Sequence, residues 1–121
     1  MPKTYEDYVR EALLVVRQTS LKDARAAFDA GPTAATFLDI REPNEIVIGA
    51  IPDALVIPRG RLESDAPDWL FDPAGRVICY CSSGKRSALA AKTLQEMGFT
   101  SVRSLAEGFA GWLRRDYPVE R

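Results

Sequence analysis

Histidine is absent from the 121-residue sequence, and cysteine occurs only twice. The absence of histidine excludes Ser-His-Asp triads and Cys-His nucleophile pairs. It also removes the commonest zinc ligand, and two cysteines alone do not make a thiolate-rich metal site. Cys79 and Cys81 are too close in sequence to stabilise a fold by closing a long disulfide loop. We therefore expect no metal and no cofactor, and a nucleophilic cysteine would have to be ionised without a neighbouring base.

The sequence also lacks a strong charge bias and a long hydrophobic run. The formal net charge is -1, so nothing points to nucleic acid or to an anionic membrane as a partner. No apolar run approaches the roughly 18 residues of a spanning helix. The first residues lack the basic and small-residue pattern of a signal peptide. We expect no nucleic-acid partner, no membrane partner and a cytoplasmic location.

Apolar runs alternate with helical patterns along the chain. Thr4, with Asp7 three positions later, predicts the start of a first helix, and Ser20 predicts the start of a second. Four short runs predict strands: TFLDI at 36–40, ALVIP at 54–58, RVICY at 76–80 and SVRSL at 101–105. Residues 108–116 predict a short final helix, and residues 61–75 a helical turn followed by a loop. Such alternation is typical of a parallel α/β sheet covered on both faces.

The most informative stretch follows the third predicted strand. Its position matters because ligands of parallel sheets bind beyond the carboxyl ends of the strands. Cys81 comes directly after this strand, and a helical pattern begins a few residues later. The residues between them are small or basic: Ser82, Ser83, Gly84, Lys85, Arg86 and Ser87. They allow successive N–H groups to face one point, forming an anion site at a helix N-terminus. Such a loop would also stabilise a thiolate without histidine, and the two cations would attract a small anionic substrate.

Each cysteine could have a purely structural role, since free cysteine is among the most buried residue types. Cys81 could be a structural thiol in an ordinary strand-to-helix turn, but the glycine, serines and cations beside it favour a functional loop. Cys79 lies inside the predicted strand, and we interpret it as a core residue.

The loop sequence CSSGKRS resembles the active-site loop of rhodanese-like sulfurtransferases, C-x-x-G-x-R-S. FLDIREPNEIVIGAIPDALVIPRG and LAEGFAGW resemble further segments of that family, in the expected order. The likeness runs from about Ser20 to Val119. It implies a five-stranded, mostly parallel sheet with helices on both faces. It also divides the chain into an N-terminal helical extension, residues 1–19, and a rhodanese-like domain, residues 20–121.

The resemblance implies a two-step transfer of sulfur through Cys81. By position, Cys81 matches the catalytic cysteine, and residues 82–87 supply the loop amides. The thiolate would take a sulfane sulfur from thiosulfate or another donor and pass it to cyanide, a small thiol or a protein thiol. The expected partners are therefore a small anionic sulfur donor and a thiol acceptor.

Charged residues near two other predicted strand ends complete the candidate site. Arg59 follows a strand, so it is a candidate for binding the anionic end of the donor. Four residues around the end of the first predicted strand are expected to pair with one another and fix the loop. They are Asp39, Arg41, Glu42 and Glu45.

One departure from the family pattern concerns packing. Many members carry Gly-His-Ile-Pro-Gly where this chain reads Gly-Ala-Ile-Pro-Asp at 49–53. That histidine is not the sulfur nucleophile of the family. We therefore expect its loss to affect local packing more than catalysis.

Two other functions compete with sulfur transfer. Phosphatases of the same fold need C-x5-R to surround a phosphate, whereas Cys81 and Arg86 are spaced as C-x4-R, which disfavours that activity. A sulfur carrier or docking module that serves one protein partner, without turnover, stays open.

Overall fold

A five-stranded parallel sheet forms the centre of the protein in a computed structural model that describes residues 1–121. The strand order is β1-β5-β4-β2-β3, and all four pairings are parallel. The strands are β1 (Arg17–Thr19), β2 (Thr36–Asp39), β3 (Leu55–Val56), β4 (Val77–Tyr80) and β5 (Val102–Leu105). This architecture confirms the predicted α/β fold with five strands.

Six α-helices and one 3₁₀ turn, Arg59–Arg61, connect the strands. The helices are α1 (Tyr5–Val15), α2 (Leu21–Asp29), α3 (Pro43–Ile46), α4 (Leu62–Trp69), α5 (Lys85–Glu96) and α6 (Gly108–Arg114). Thr4 and Asp7 form a reciprocal capping box on α1, and the Ser20 hydroxyl accepts from the amide of Asp23 on α2. Both predicted helix starts are therefore confirmed. Within residues 61–75, α4 is an eight-residue helix, longer than the predicted turn.

Two hydrophobic clusters cover the two faces of the sheet. Cys79 and Cys81 lie in one cluster, together with Leu94 of α5, while Ile78 and Tyr80 lie in the other. Successive residues of a strand point to opposite faces, so all four residues of β4 are buried. Because β4 lies between β5 and β2 and is buried on both faces, the start of the loop that follows it is held in place.

Sequence patterns missed the edge strand β1. It has only three residues and no apolar run, because two of its three side chains are exposed. Arg17–Thr19 nevertheless pairs with β5 in register, although it lies inside the predicted extension. Within the same extension, α1 packs against α5, and Gln95 of α5 donates to the carbonyl of Val15 at 3.2 Å. The division into an extension and a domain at residue 19 stays a prediction.

Ala50 occupies the place of the missing family histidine and is buried. Its backbone forms two hydrogen bonds with Glu120, at 2.9 and 2.8 Å, so the C-terminal segment covers this position. The next amide, that of Ile51, donates to the Tyr80 hydroxyl at 3.1 Å. Ala50 is therefore held by backbone pairing with the C-terminal segment. None of the helices combines the length and the apolar character that a membrane-spanning helix needs.

Candidate active site

Cys81 lies at the carboxyl end of β4, and its side chain points into the loop that leads to α5. The residue is only 1% exposed. Its sulfur accepts from the amides of Gly84, at 3.2 Å, and Ser87, at 3.4 Å. The N-terminus of the twelve-residue α5 faces the same sulfur, and its partial positive charge favours an anion there. Two backbone donors and a helix N-terminus therefore converge on one thiol.

Gly84 gives the loop its tight turn. It caps α5 with φ of 97°, a left-handed conformation that other residues rarely adopt. A Cβ at this position would collide with the carbonyl oxygen of Ala106, so a side chain is also excluded sterically. The Gly84 amide can reach the Cys81 sulfur only because the backbone takes this path.

Two buried serines lie behind the thiol. The Ser87 hydroxyl is 3.6 Å from the Cys81 sulfur and 2.8 Å from the Ser104 hydroxyl. Ser104 is fully buried on β5, directly beside Cys79 in the register of the two strands. Sequence reasoning singled out Ser87 but missed Ser104, because nothing in SVRSL separates a serine that faces the loop from one that faces solvent.

The N-terminus of α6 supports the loop from the other side. The amide of Phe109 donates to the carbonyl of Cys81 at 2.8 Å, and that of Ala110 to the carbonyl of Ser82 at 3.0 Å. Gly108 has φ of 63°, and a Cβ there would collide with the Cys81 and Ser82 carbonyls. This role was not predicted from the sequence, although the glycines of LAEGFAGW could have indicated it.

Arg86 forms a two-pronged ion pair with Glu45 of α3, with N–O distances of 2.7 and 2.8 Å. The Ser82 hydroxyl donates to the same carboxylate at 3.2 Å. The hydrogen bonds from Arg86 lower the pKa of Glu45 to about 2, and Glu45 in turn raises the pKa of Arg86. Arg86 therefore fastens the loop to α3 instead of extending freely into the mouth of the site.

This pairing corrects part of the prediction for the charged residues around β2. Asp39 and Arg41 do pair with each other, fully buried and 2.7 Å apart. The Glu45 carboxylate does not pair with Arg41 but reaches across to Arg86, 41 positions away, and only the backbone carbonyl of Glu45 accepts from Arg41, at 3.4 Å. A contact of that separation depends on the sheet order and leaves no local trace in the sequence. The backbone amide of Glu42 donates to Glu45 at 3.1 Å and closes the turn.

Helix α1 reaches the mouth of the loop. Glu6 pairs with Lys85 at 2.9 Å, with 60% and 49% of the two side chains exposed. Burial, and then the negative charge that the nearby Cys81 sulfur carries when ionised, raise the pKa of Tyr5, the first residue of α1. Both loop cations are thus paired with carboxylates, Lys85 at the surface and Arg86 beneath it. Ser83 of the same loop is exposed.

The hydrogen bonds of the Arg59 side chain go to residues outside the loop. It donates to Glu63 and to the Thr93 hydroxyl, both at 3.1 Å. Thr93 lies on α5 roughly two turns beyond Arg86. No hydrogen bond joins Arg59 to the residues of 81–87, so its role in donor binding stays a prediction.

Cys79 is fully buried, as predicted for a core residue, and burial raises its pKa to about 12. The protein brings together no cluster of three or more histidine, cysteine, aspartate or glutamate side chains that could hold a metal ion.

Comparison with known proteins gives a consistent family relationship. The family model described as the rhodanese-like domain matches residues 20–115. A curated sulfurtransferase from Allochromatium vinosum is 37% identical over 82 residues, which is 68% of this chain and 75% of that protein. The matched stretches span 64% to 75% of the length of three curated relatives: this sulfurtransferase, an uncharacterized protein of Bacillus subtilis and a chloroplastic rhodanese-like domain-containing protein of Arabidopsis thaliana.

Two solved structures resemble the whole chain. A Rhodopseudomonas palustris protein of unknown function, described as a possible tyrosine phosphatase, has a TM-score of 0.89 and 33% identity, covering 99% of both chains. The polysulfide-sulfur transferase homodimer of Wolinella succinogenes has a TM-score of 0.82 and 29% identity, covering 96% of this chain and 86% of that one.

Proposed function

The chain belongs to the rhodanese-like domain family, and on this premise we propose that it is a sulfurtransferase that carries a sulfane sulfur as a persulfide on Cys81. The main supporting observation is the convergence of the Gly84 and Ser87 amides on the Cys81 sulfur. These donors stabilise a thiolate in a protein that has no histidine to serve as a base. The sulfurtransferases among its relatives support the same chemistry.

In the first half-reaction, the Cys81 thiolate attacks the outer sulfur of thiosulfate or of a persulfide donor. A new S–S bond forms to Cys81, the donor's own S–S bond breaks, and sulfite or a thiolate leaves with the electron pair. Negative charge then resides on the terminal sulfur of the Cys81 persulfide. The amides of Gly84 and Ser87 are in place before the reaction, so the loop stabilises the thiolate without reorganising, and we expect the amides of residues 82–87 to receive the anionic terminal sulfur.

In the second half-reaction, cyanide or an acceptor thiolate attacks the terminal sulfur. The S–S bond to Cys81 breaks, thiocyanate or an acceptor persulfide leaves, and the Cys81 thiolate is restored. Arg86, Glu45 and Ser82 act indirectly by holding the loop backbone through their shared hydrogen bonds.

A comparison of sulfur donors tests this function. Purified protein would be given thiosulfate, inorganic polysulfide or cysteine persulfide, with cyanide or a small thiol as acceptor. We expect multiple turnovers with at least one donor. If the folded protein transferred sulfur from none of the three, sulfurtransferase activity would be refuted.

A phosphatase activity is suggested by the description of the R. palustris neighbour. The site disfavours it, because both ends of the Arg86 guanidinium fork are occupied by Glu45. With the C-x4-R spacing, the arginine is not free to bind the oxygens of a phosphate.

A sulfur carrier that serves one protein partner is the stronger alternative, because both loop cations are already paired. A carrier would load one sulfur on Cys81 but release it only to its partner, so a single loading without turnover would favour this alternative. We retain the predicted cytoplasmic location in either case.

A further inference from the structure

Ser104 is a buried hydroxyl whose side-chain partners all belong to the Cys81 loop. Its oxygen is 2.8 Å from the Ser87 hydroxyl, and it donates to the Gly84 carbonyl at 3.5 Å. Ser87 in turn lies 3.6 Å from the Cys81 sulfur. A buried hydroxyl costs stability unless it is hydrogen-bonded. A small apolar residue would fill the same space in this strand equally well. The hydroxyls of Ser104 and Ser87 therefore form a chain that ends at the nucleophile.

The protons of this chain can be counted, because each serine hydroxyl donates only one. When Cys81 is a thiol, its S–H donates to Ser87, Ser87 donates to Ser104, and Ser104 donates to the Gly84 carbonyl. When Cys81 is a thiolate, the sulfur can only accept. Ser87 then turns its proton to the sulfur, and Ser104 turns its own proton to the Ser87 oxygen. Both states are satisfied without moving a heavy atom.

We propose that Ser104 is a positioning residue, whose hydroxyl lets Ser87 change its hydrogen bond as charge appears on and leaves the Cys81 sulfur. In the thiolate state, the Ser104 proton polarises Ser87 and strengthens its bond to the anion, since hydrogen bonds in a chain reinforce one another. Once Cys81 is loaded, charge has moved to the terminal sulfur, and Ser87 turns back to Ser104. The effect of Ser104 on the Cys81 thiol and thiolate stands by itself, and only its link to the persulfide rests on the proposed function.

Other ionisable groups also face the sulfur. Cys79 lies on the same strand, Tyr5 approaches from α1, and Arg86 approaches from α5. Glu45 of α3 lies behind Arg86 and is paired with it. None of these four side chains forms a hydrogen bond with Ser104. A change at Ser104 therefore alters the hydroxyl chain and leaves the charges around the sulfur in place.

The test compares Ser104→Thr with Ser104→Val, which match in size and differ in the hydroxyl. The rate of Cys81 alkylation by iodoacetamide is measured against pH, with the modified residue located by mass spectrometry. We expect the Val variant to shift the profile to higher pH and to lower the neutral-pH rate roughly twofold to tenfold, the contribution of one hydrogen bond. The Thr variant should stay close to the wild-type profile, as should the control Ser101→Ala.

Identical profiles for the Thr and Val variants would overturn the proposal, because a purely structural serine would not distinguish them. Ser104→Ala gives a second comparison with wild type if the larger side chains unfold the protein. Alkylation needs no sulfur donor, so a shifted profile without any sulfur transfer would support the role of Ser104 while refuting the proposed function. Normal sulfur transfer with unshifted alkylation profiles would refute the role of Ser104 and leave the proposed function supported.

Discussion

Two cysteines separated by a single residue differ sharply in their surroundings. Cys81 accepts two amide hydrogen bonds at the end of β4, whereas Cys79 lies inside the strand among apolar side chains. Burial raises the pKa of Cys79 to about 12, so this thiol stays protonated near neutral pH. The difference depends on position relative to the strand end and not on residue type.

Replacing each cysteine by serine should separate their roles. Cys81→Ser should abolish sulfur transfer and leave the fold intact, because a serine hydroxyl does not ionise near neutral pH. Cys79→Ser should keep most of the activity. Thiosulfate:cyanide assays on both variants, with circular dichroism to confirm folding, check this. Substantial activity in Cys81→Ser would exclude Cys81 as the sulfur carrier.

The Glu45–Arg86 pair should make stability depend on acid pH. Arg86 lowers the folded-state pKa of Glu45 from 4.5 to about 2, so the pair stabilises the fold fully above 4.5. That contribution is lost as the pH falls through 2. Glu45→Gln should cost about 1 kcal/mol at neutral pH, since the pair is partly screened by water.

Urea unfolding of the wild type and of Glu45→Gln between pH 7 and pH 2 measures this difference. The gap should be constant down to about pH 4.5 and should close toward pH 2. Glu96→Gln is the control, because it removes an exposed pair with Lys92 on α5. A gap that did not change with pH would mean that Glu45 is not stabilised as an anion.

At the scale of elements, local signals were sufficient for most of the fold. The Thr4 and Ser20 caps lie within three residues of their partners, so the sequence alone predicts them. Four strands were visible because they are apolar runs. Strand β1 and helix α3 were missed, since β1 has no apolar run and α3 is a four-residue turn in a charged segment. Strand β1 depends on its pairing with the distant β5, whereas α3 has a capping box between Glu42 and Glu45 and a proline in its first turn, which are local signals.

The same division holds within the candidate site. Cys81 and its loop are contiguous, so their pattern could be seen in the sequence. The partners that hold the loop are far away in sequence, such as Glu45, Gly108 and Ser104. Their roles depend on the sheet order, which brings α3, α6 and β5 around the end of β4.

The support from α6 can be tested at Gly108. Gly108→Ala should destabilise the protein by more than about 1 kcal/mol, through its positive φ and its collision with the loop carbonyls. It should also reduce kcat, because the loop is displaced. The matched control is Gly98→Ala, which has φ of 104° but open space around its Cβ position.

Thermal unfolding and steady-state assays on both glycine variants give the answer. Both variants should lose stability through backbone strain, and only Gly108→Ala should lose turnover. Equal loss of turnover in the two would show that α6 does not set the geometry of the loop.

At the scale of the whole molecule, the N-terminal helix takes part in the electrostatics of the site. Helix α1 packs on α5 and places Glu6 on Lys85, so it decides how much positive charge an approaching anion meets. A pair this exposed is screened by salt.

Opposite changes at Glu6 and Lys85 should therefore have opposite effects on thiosulfate use. At low ionic strength, Lys85→Ala should raise the thiosulfate KM about twofold with little change in kcat, and Glu6→Gln should lower it by a similar factor. Both effects should fade in high salt. Glu11→Gln, which removes a pair with Lys3 on the same helix, is the control. If Lys85→Ala left kcat/KM unchanged at low salt, Lys85 would not recognise the donor, and a protein-bound persulfide would be the better candidate.

The most direct test of sulfur transfer through Cys81 is the intact mass of the protein after incubation with thiosulfate. The wild type should gain the mass of one sulfur atom, which peptide mapping should locate on Cys81 and which cyanide should remove. Cys81→Ser should gain nothing under the same conditions, while Cys79→Ser should load like the wild type. Absence of the added sulfur with thiosulfate, polysulfide and cysteine persulfide alike, or its location on Cys79, would contradict a Cys81 persulfide.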